Sequence, residues 1–201
     1  MKVITFYGSK SNTYCCNFYL VLGTWNALSD INTLVDVGTN DFVIGEVARI
    51  ASTGVGKNPV EQVIITHNHF DHAGGLKHVI KKFHPKVLAF NNSDEITRTL
   101  SNGENVIMGD SEFEVIHVPA HSNDSICLYS KKDRILFSGD TPINIKTPGG
   151  SYTSAFVTFL KKIVRMDIDI IYSGHDDPLT HDVNGVLKNT LSNVEKSVIT
   201  A

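Results

Sequence analysis

Short apolar runs that end at a histidine or an aspartate are the feature of this sequence that most restricts its fold. Runs rich in β-branched or aromatic residues and bounded by Gly, Pro, Asn or Asp predict β-strands. These runs are Val3–Tyr7, Cys15–Leu22, Thr33–Val37, Gln62–Thr66, Lys86–Phe90, Glu112–Val118, Ser125–Tyr129, Arg134–Phe137 and Ile168–Tyr172. Helical spacing of apolar residues predicts helices at Asp41–Ser52, Leu76–Phe83, Tyr152–Val164 and Asn184–Ser197. Strands and helices are mixed in both halves, so the fold class is α/β or α+β.

The densest group of ionisable residues follows the strand predicted at Gln62–Thr66. His67, His69, Asp71 and His72 lie within six residues of one another. In extended backbone His67 and His69 point to the same side, and Asp71 and His72 can turn toward the same position at the start of the next helix. One short segment can therefore contribute ligands to two metal ions.

Three other predicted strands end at a residue of the same kind. His121 follows Pro119, which ends the strand predicted at Glu112–Val118. Asp140 and His175 each follow three apolar residues and a Ser-Gly pair, so these two segments repeat one pattern. Strand ends of this kind commonly carry functional groups, because the sheet holds the positions rigid while the loops vary.

Most histidines in proteins are surface or core residues, and we interpret His78, His84, His117 and His181 in this way, with contact to His121 as the alternative for His117. The histidines and aspartates at the strand ends differ, because there they would be buried without partners unless a cation organised them. We therefore predict a metal site formed by His67, His69, Asp71, His72, His121, Asp140 and His175.

Composition excludes several classes of partner. The 201 residues carry 18 basic and 21 acidic side chains, a net charge of −3, which argues against binding to nucleic acid. Because no stretch approaches the ~18 apolar residues of a membrane span and the N-terminal apolar run is too short for a signal peptide, we expect a cytoplasmic protein that has no membrane partner. Cys15, Cys16 and Cys127 are interpreted as small apolar residues of strands, not as ligands or disulfides.

The motif His67-x-His69-x-Asp71-His72, followed by His121, Asp140 and His175, resembles the metallo-β-lactamase superfamily. The segment Thr66–Gly75 is close to the form found in the glyoxalase II and small-hydrolase branch of that family. The resemblance extends over nearly the whole chain and implies one domain over residues 1–201. It also implies a four-layer αββα sandwich, in which two mixed β-sheets are flanked by helices.

The resemblance further implies a dinuclear centre. One ion would be bound by His67, His69 and His121, and the other by Asp71, His72 and His175, with Asp140 as the bridge. Nitrogen and oxygen ligands without a thiolate favour zinc, with iron or manganese as alternatives. Asp36 matches a structural aspartate of the family and is not expected to bind metal.

The sequence also departs from parts of the family pattern. Asp140 replaces the cysteine of the main class of β-lactamases, which argues against antibiotic hydrolysis as the native activity. His69 replaces the glutamate of flavodiiron relatives. The segment Pro119–Ser125 differs from the usual Pro-Gly-His-Thr-Pro-Gly-Ser, so the substrate is not predicted from this loop.

The ligand set predicts a metal-dependent hydrolase, and the resemblance to the hydrolase branch implies a small-molecule substrate that is an ester, thioester or lactone. Two cations about 3.5–4 Å apart can hold a bridging hydroxide and stabilise the tetrahedral oxyanion. Asp71 would position and deprotonate the water. The segment 141–154 is rich in turn-forming residues and directly follows Asp140, so it is the candidate substrate loop, with a plain connection as the alternative.

Three other functions are consistent with this ligand set. A mononuclear iron oxygenase of the persulfide dioxygenase type would use the first group of ligands alone. A phosphodiester hydrolase would use both ions, but basic groups should then lie near the mouth of the site. A non-catalytic binding module would use a closed metal site, whereas a rich ligand set with a bridging carboxylate normally leaves positions open to solvent.

Overall fold

The structure, a computed structural model, describes residues 1–50 and 52–200. In these ranges the first sheet has six strands, in the spatial order β1 (Lys2–Phe6), β2 (Phe18–Leu22), β3 (Thr33–Val35), β4 (Gln62–Ile64), β5 (Lys86–Ala89) and β6 (Arg98–Thr99). The pairs β1–β2 and β2–β3 are antiparallel, and β3 to β6 run parallel to one another. The parallel strands therefore place their carboxyl ends at one edge.

The second sheet is formed by the later part of the chain. Its members are β7 (Asn105–Met108), β8 (Ser111–His117), β9 (Ile126–Ser130) and β10 (Ile135–Gly139), followed, after β11 (Ser151–Thr153), by β12 (Ile170–Ser173). In space the order is β12-β10-β9-β8-β7, with β10 and β12 parallel and the other pairs antiparallel. A separate two-stranded ribbon pairs β11 with β13 (Val198–Thr200).

Helices cover the outer faces of both sheets. They are α1 (Phe42–Ala48), α2 (Phe70–Ala73), α3 (Leu76–Phe83), α4 (Ser154–Ile163) and α5 (Val183–Glu195), and a short 3-10 turn lies at Gly8–Lys10. The N-terminus of α4 is capped by Thr153, whose side chain accepts a hydrogen bond from the backbone N–H of Phe156.

Alternate side chains of a strand pack into different layers of the fold. On β2, Tyr19 and Val21 lie in a core shared by the two sheets, whereas Phe18 and Leu20 lie in the core beneath α1 and α3. On β9, the alternate residues pack between the sheets or against α4 and α5. Successive side chains of a strand point to opposite faces, so each sheet is buried on both sides. The αββα arrangement is thereby confirmed.

The predicted strands are present, with ends that shift by at most three residues. The strand predicted at Cys15–Leu22 begins only at Phe18, because the backbone N–H groups of Cys16 and Asn17 bond to Asp71 and Gly174 instead of joining the sheet ladder. The short strands β6, β7, β11 and β13 were not predicted. They depend on a neighbouring strand more than on their own residues.

The first predicted helix is longer than the observed one. α1 ends at Ala48 with Arg49 as its C-cap, so the prediction that the helix continues to Ser52 is wrong. Ala51, one of the apolar positions of that prediction, lies outside the described residues. The other three predicted helices correspond to α3, α4 and α5 within two residues at each end. Along the described ranges, no helix combines the length and apolar character needed to cross a membrane.

Candidate metal centre

Three histidines form the first group of candidate ligands. His67 and His69 follow β4, and His121 lies beyond the end of β8. Nε2 of His67 lies 3.1 Å from Nδ1 of His69, and Nε2 of His121 lies 2.9 Å from the same Nδ1 atom. These nitrogens are close enough together to bind one ion.

Asp71, His72, Asp140 and His175 form the second group. Nε2 of His175 lies 3.0 Å from Oδ2 of Asp71. Nε2 of His72 lies 3.1 Å from Oδ1 of Asp140. Asp71 and His72 lie on α2, a single turn of helix that the sequence analysis did not separate from the loop. The turn directs both side chains to the same position.

Asp140 lies between the two groups. Its Oδ2 atom is 3.6 Å from Nε2 of His121 and 3.4 Å from Nε2 of His175. This is the position that the resemblance implies for a bridging carboxylate. The structure thus brings together all the predicted ligands in the two predicted groups, while their binding of metal and the catalytic role of Asp71 stay predictions.

Two buried atoms test whether a cation fits. Within the described part of the chain, Nε2 of His72 and Oδ1 of Asp140 have no aligned hydrogen-bond partner, although they lie 3.1 Å apart. Buried polar atoms without a partner are costly and rare. A divalent cation would satisfy both atoms, so the donor set fits a metal centre.

Asp36 contacts the second group through His72. Its Oδ2 atom lies 2.8 Å from Nδ1 of His72, and its Oδ1 atom accepts a hydrogen bond from the backbone N–H of Thr66. Asp36 has a φ of 58°, a left-handed conformation that is uncommon outside glycine. The Asp36 bond favours a proton on Nδ1 of His72, which leaves Nε2 free to bind a metal.

Cys16 lies close to both Asp36 and His72. Its sulfur is within 4.8 Å of ligand atoms of Asp36 and His72. Burial raises the pKa of the Cys16 thiol to about 12, so it stays protonated. Within the described part of the chain all cysteines are buried and none forms a disulfide. Cys127 lies on β9 as predicted, but Cys15 and Cys16 precede β2, so the interpretation of these two as strand residues is wrong.

The repeated Ser-Gly pair has a steric explanation. β10 and β12 are parallel neighbours, so the residues after them emerge at one edge. A Cβ atom at Gly174 would lie 2.1 Å from Oδ1 of Asp140 and 2.7 Å from Cε1 of His72. Gly139 has a φ of 50°, and a Cβ atom there would approach Oγ1 of Thr66 to 2.8 Å. Only glycine allows the strand ends to approach the centre this closely.

The two groups differ in their protonation. Burial, and then the charge of His72, lower the pKa of His67 to about 4, so this imidazole is neutral and ready to bind metal. Burial also lowers the pKa of His121. Within the first group, His67 therefore presents a neutral nitrogen.

Burial by itself would lower the pKa of His72, but the charge of Asp36 and the close contacts of the imidazole with the carboxylates of Asp140 and Asp36 raise it overall. The hydrogen bond to Asp140 raises the pKa of His175. Burial opposes ionisation of Asp140, yet its bonds to His175 and His72 hold its pKa well below the ordinary range. The raised pKa values of His72 and His175 favour protons that offset the charge of Asp140, and a cation bound there would replace them.

Tyr14 lies at the open side of the second group and was missed by the sequence analysis. Its hydroxyl oxygen is 3.4 Å from Nε2 of His175, and the two rings stack with centroids 5.1 Å apart. Tyr14 is separated from His175 by 161 residues, so no local pattern could have predicted this contact.

The segment 141–154 lies only partly at the centre. A cavity of about 280 Å³ borders His121, Asp140 and His175 and is lined by Thr141 to Asn144. Beyond it the chain leaves the site, because the backbone of Ile145 bonds to Thr190 and Asn193 of α5. Of the segment predicted as a substrate loop, therefore, only the first residues border the candidate metal centre, and its role in substrate binding stays a prediction.

The remaining histidines lie away from both groups. The ring of His117 stacks on Phe90 at 3.8 Å, and its Nε2 atom lies 2.8 Å from the carbonyl oxygen of Asn123. His78, His84 and His181 are exposed. Their interpretation as surface or packing residues agrees with these positions.

The sequence matches the family model described as "Metallo-beta-lactamase superfamily" over residues 16–99 and 89–175. These residues include every strand end that contributes a candidate ligand. The chain belongs to the metallo-beta-lactamase superfamily. Its αββα fold is the fold of that family.

Individual relatives define the similarity further. The chain is 32% identical over 128 residues to a hydroxyacylglutathione hydrolase of Francisella tularensis subsp. tularensis (strain WY96-3418), an alignment that covers 60% of this chain and 51% of that protein. The chain thus spans about half the length of this curated relative.

Among solved structures, ETHE1 from Myxococcus xanthus superposes with a TM-score of 0.68 at 18% identity, covering 97% of this chain and 90% of that one. The BLEG-1 B3 metallo-beta-lactamase gives a TM-score of 0.66 at 18% identity, with 97% and 99% covered. At these identities the likeness establishes the fold alone.

Proposed function

We propose that this protein is a metal-dependent hydrolase of a small ester, thioester or lactone. The observation that carries the proposal is the position of Asp140, whose carboxylate faces His121 and His175 from the two ligand groups within 3.6 Å. A carboxylate between two sets of nitrogen donors is the arrangement expected of a two-ion hydrolytic centre. The similarity to a hydroxyacylglutathione hydrolase supports the thioester as one substrate class.

Zinc is the proposed metal, with two ions per chain. The donors are imidazole nitrogens and carboxylate oxygens, and the nearby Cys16 is a protonated thiol. This set favours zinc, and iron or manganese are the alternatives. When bound, such ions would supply Lewis acidity, activating a water and polarising the carbonyl oxygen of the substrate. The cytoplasm is the proposed location.

The chain's own residues supply the proton transfers. Asp71 is buried, and Oδ2 of its carboxylate lies 3.0 Å from Nε2 of His175. We assign Asp71 the role of taking a proton from the attacking water, whose oxygen forms the new bond to the carbonyl carbon. The C–O or C–S bond then breaks, and the leaving alcohol or thiol receives the proton that Asp71 took from the water. The products are a carboxylic acid and that alcohol or thiol.

Metal analysis and a substrate panel test this function together. Purified protein is loaded with zinc, its metal content is measured, and hydrolysis of 4-nitrophenyl acetate, a hydroxyacylglutathione thioester, a γ-lactone and bis(4-nitrophenyl) phosphate is compared. We expect two zinc ions per chain and turnover of an ester, thioester or lactone. Preference for the phosphodiester, or one tightly bound iron with oxygen consumption, would replace the proposal by one of its rivals.

Asp71→Asn separates the chemistry from the fold. The amide retains the shape of the side chain but cannot accept the proton, so we expect kcat to fall about 10²- to 10⁴-fold. Asp94→Asn changes an exposed carboxylate in the same way and serves as the control. Equal rates for the two variants would contradict the role of Asp71.

A further inference from the structure

Tyr14 is an exposed aromatic residue that the structure nevertheless holds in place. The side chain of Tyr14 is 66% exposed, and most of the side chain of its neighbour Phe70 is exposed as well. The centroids of the two rings lie 6.2 Å apart. Little apolar area is buried here, so packing gives a weak reason for this position. Two exposed rings beside a deep polar centre suggest contact with a ligand.

Hydrogen bonds connect the backbone around Tyr14 to the two segments that carry Asp71 and His175 of the second ligand group. The side chain of Thr39 donates a hydrogen bond to the carbonyl oxygen of Tyr14. Two backbone hydrogen bonds follow along the chain. The N–H of Cys16 donates to the carbonyl oxygen of Asp71 at 3.2 Å, and the N–H of Asn17 donates to the carbonyl oxygen of Gly174 at 2.6 Å. Tyr14 is therefore positioned by the same segments that position Asp71 and His175.

The hydroxyl group of Tyr14 approaches a candidate ligand atom. It lies 3.4 Å from Nε2 of His175, and this nitrogen also faces Oδ2 of Asp71 at 3.0 Å. If Nε2 gives its lone pair to a metal ion, it can no longer accept a hydrogen bond from the phenol. The O–H group would then remain at the centre with its donor capacity free.

We propose that Tyr14 positions the substrate by donating a hydrogen bond from its hydroxyl group to the carbonyl oxygen of the scissile ester or thioester. The hydroxyl approaches the centre at His175, beside a cavity of about 400 Å³ that is lined by Tyr14, His175 and other residues of the segment 7–17. A donor at this position strengthens its bond as negative charge develops on the oxygen. This inference rests on the proposed hydrolase function.

Tyr14→Phe tests the hydroxyl group while the ring stays stacked on His175. With the best substrate of the panel, we expect kcat to fall about tenfold or more and KM to change little, because the bond matters most in the transition state. Tyr152→Phe removes a hydroxyl from β11, away from the centre, and is the matched control. Rates equal to wild type for Tyr14→Phe would overturn the inference and leave the hydrolase function intact.

Two further measurements do not depend on turnover. Zinc affinity is measured by competition with a chelator, and binding of phenylboronic acid, which becomes a tetrahedral anion, is measured by calorimetry on the zinc-loaded protein. We expect Tyr14→Phe to retain zinc affinity and to bind the boronic acid about tenfold more weakly. Loss of zinc affinity would make the phenol a metal ligand, and unchanged boronic acid binding would give it no role at the oxyanion. Either result overturns the inference, even if no substrate of the panel is hydrolysed.

Discussion

Oδ2 of Asp36 lies 2.8 Å from Nδ1 of His72, and neither residue is exposed to solvent by more than 2%. This contact sets the direction in which the imidazole presents its other nitrogen. Because Asp36 also accepts a hydrogen bond from Thr66 at the end of β4, the carboxylate connects the first sheet to the candidate metal centre.

Asp36→Asn should weaken metal binding more than it changes the fold. Asparagine tolerates the left-handed backbone at this position but carries no charge to orient His72, so we expect zinc affinity to fall about 10- to 100-fold. Chelator competition measures the change. Asp41→Asn, at an exposed aspartate before α1, is the control and should bind zinc as wild type does.

His67→Ala should remove one ion from the first ligand group. The substitution deletes a buried nitrogen 3.1 Å from His69, and we expect the zinc content to drop from two to about one and kcat/KM to fall by orders of magnitude. Elemental analysis and the hydrolysis assay check both effects.

His84 supplies the control for His67. It is exposed and has a φ of 52° at the end of α3, so asparagine is the replacement that tolerates its backbone. We expect His84→Asn to alter stability by no more than about 0.5 kcal/mol and to retain both ions. Equal losses of metal in the two variants would mean that the histidine cluster does not bind metal.

Asp140→Ala should disrupt both ligand groups at once. It leaves two cations without the carboxylate that offsets their repulsion, and it removes the partner of His72 and His175. We expect one zinc ion to bind far more weakly and activity to collapse. Turnover within a few-fold of wild type would show that Asp140 is not the bridge.

Gly174→Ala should damage the centre through one added carbon atom. The new Cβ would lie 2.1 Å from Oδ1 of Asp140, so the carboxylate or the strand end must shift, at a cost of about 1–3 kcal/mol in the free energy of unfolding. Gly45→Ala is the matched control, because a Cβ atom there meets open space in α1 and should stabilise the helix by about 0.5–1 kcal/mol. Thermal melting with and without zinc distinguishes the two variants.

Zinc binding at pH 7 should release protons. The pKa of His72 is raised, so the metal-free chain holds a proton that the ion must displace, whereas the pKa of His67 is about 4 and this residue has none to lose. Calorimetry in two buffers of different ionisation enthalpy measures the number released. A zinc-binding enthalpy independent of the buffer would contradict this protonation state.

The candidate ligands were predictable because each stands next to a strong local signal. Apolar runs ending at His67, Asp140 and His175 identify strand ends, and the structure brings those ends together. The order of the layers could not be predicted in this way, because periodicity shows that a strand is buried without showing what covers it. The family resemblance supplied that part.

Long-range contacts explain what the sequence did not reveal. The late start of β2 at Phe18 is set by backbone bonds to distant segments, such as Asn17 to Gly174. Tyr14 is the clearest case, since its partner His175 lies 161 residues away. No local spacing records such a pair.

The candidate ligands come from both sheets: His67 to His72 follow β4 of the first, and His121, Asp140 and His175 follow strands of the second. An ion held between them would link the two sheets, closing a loop of chain from residue 67 to residue 175 much as a crosslink does. The two sheets would then separate from each other less easily. Removing the ion should therefore loosen the seam between the sheets before it loosens either sheet, and hydrogen exchange should become faster first at the strand ends that meet there.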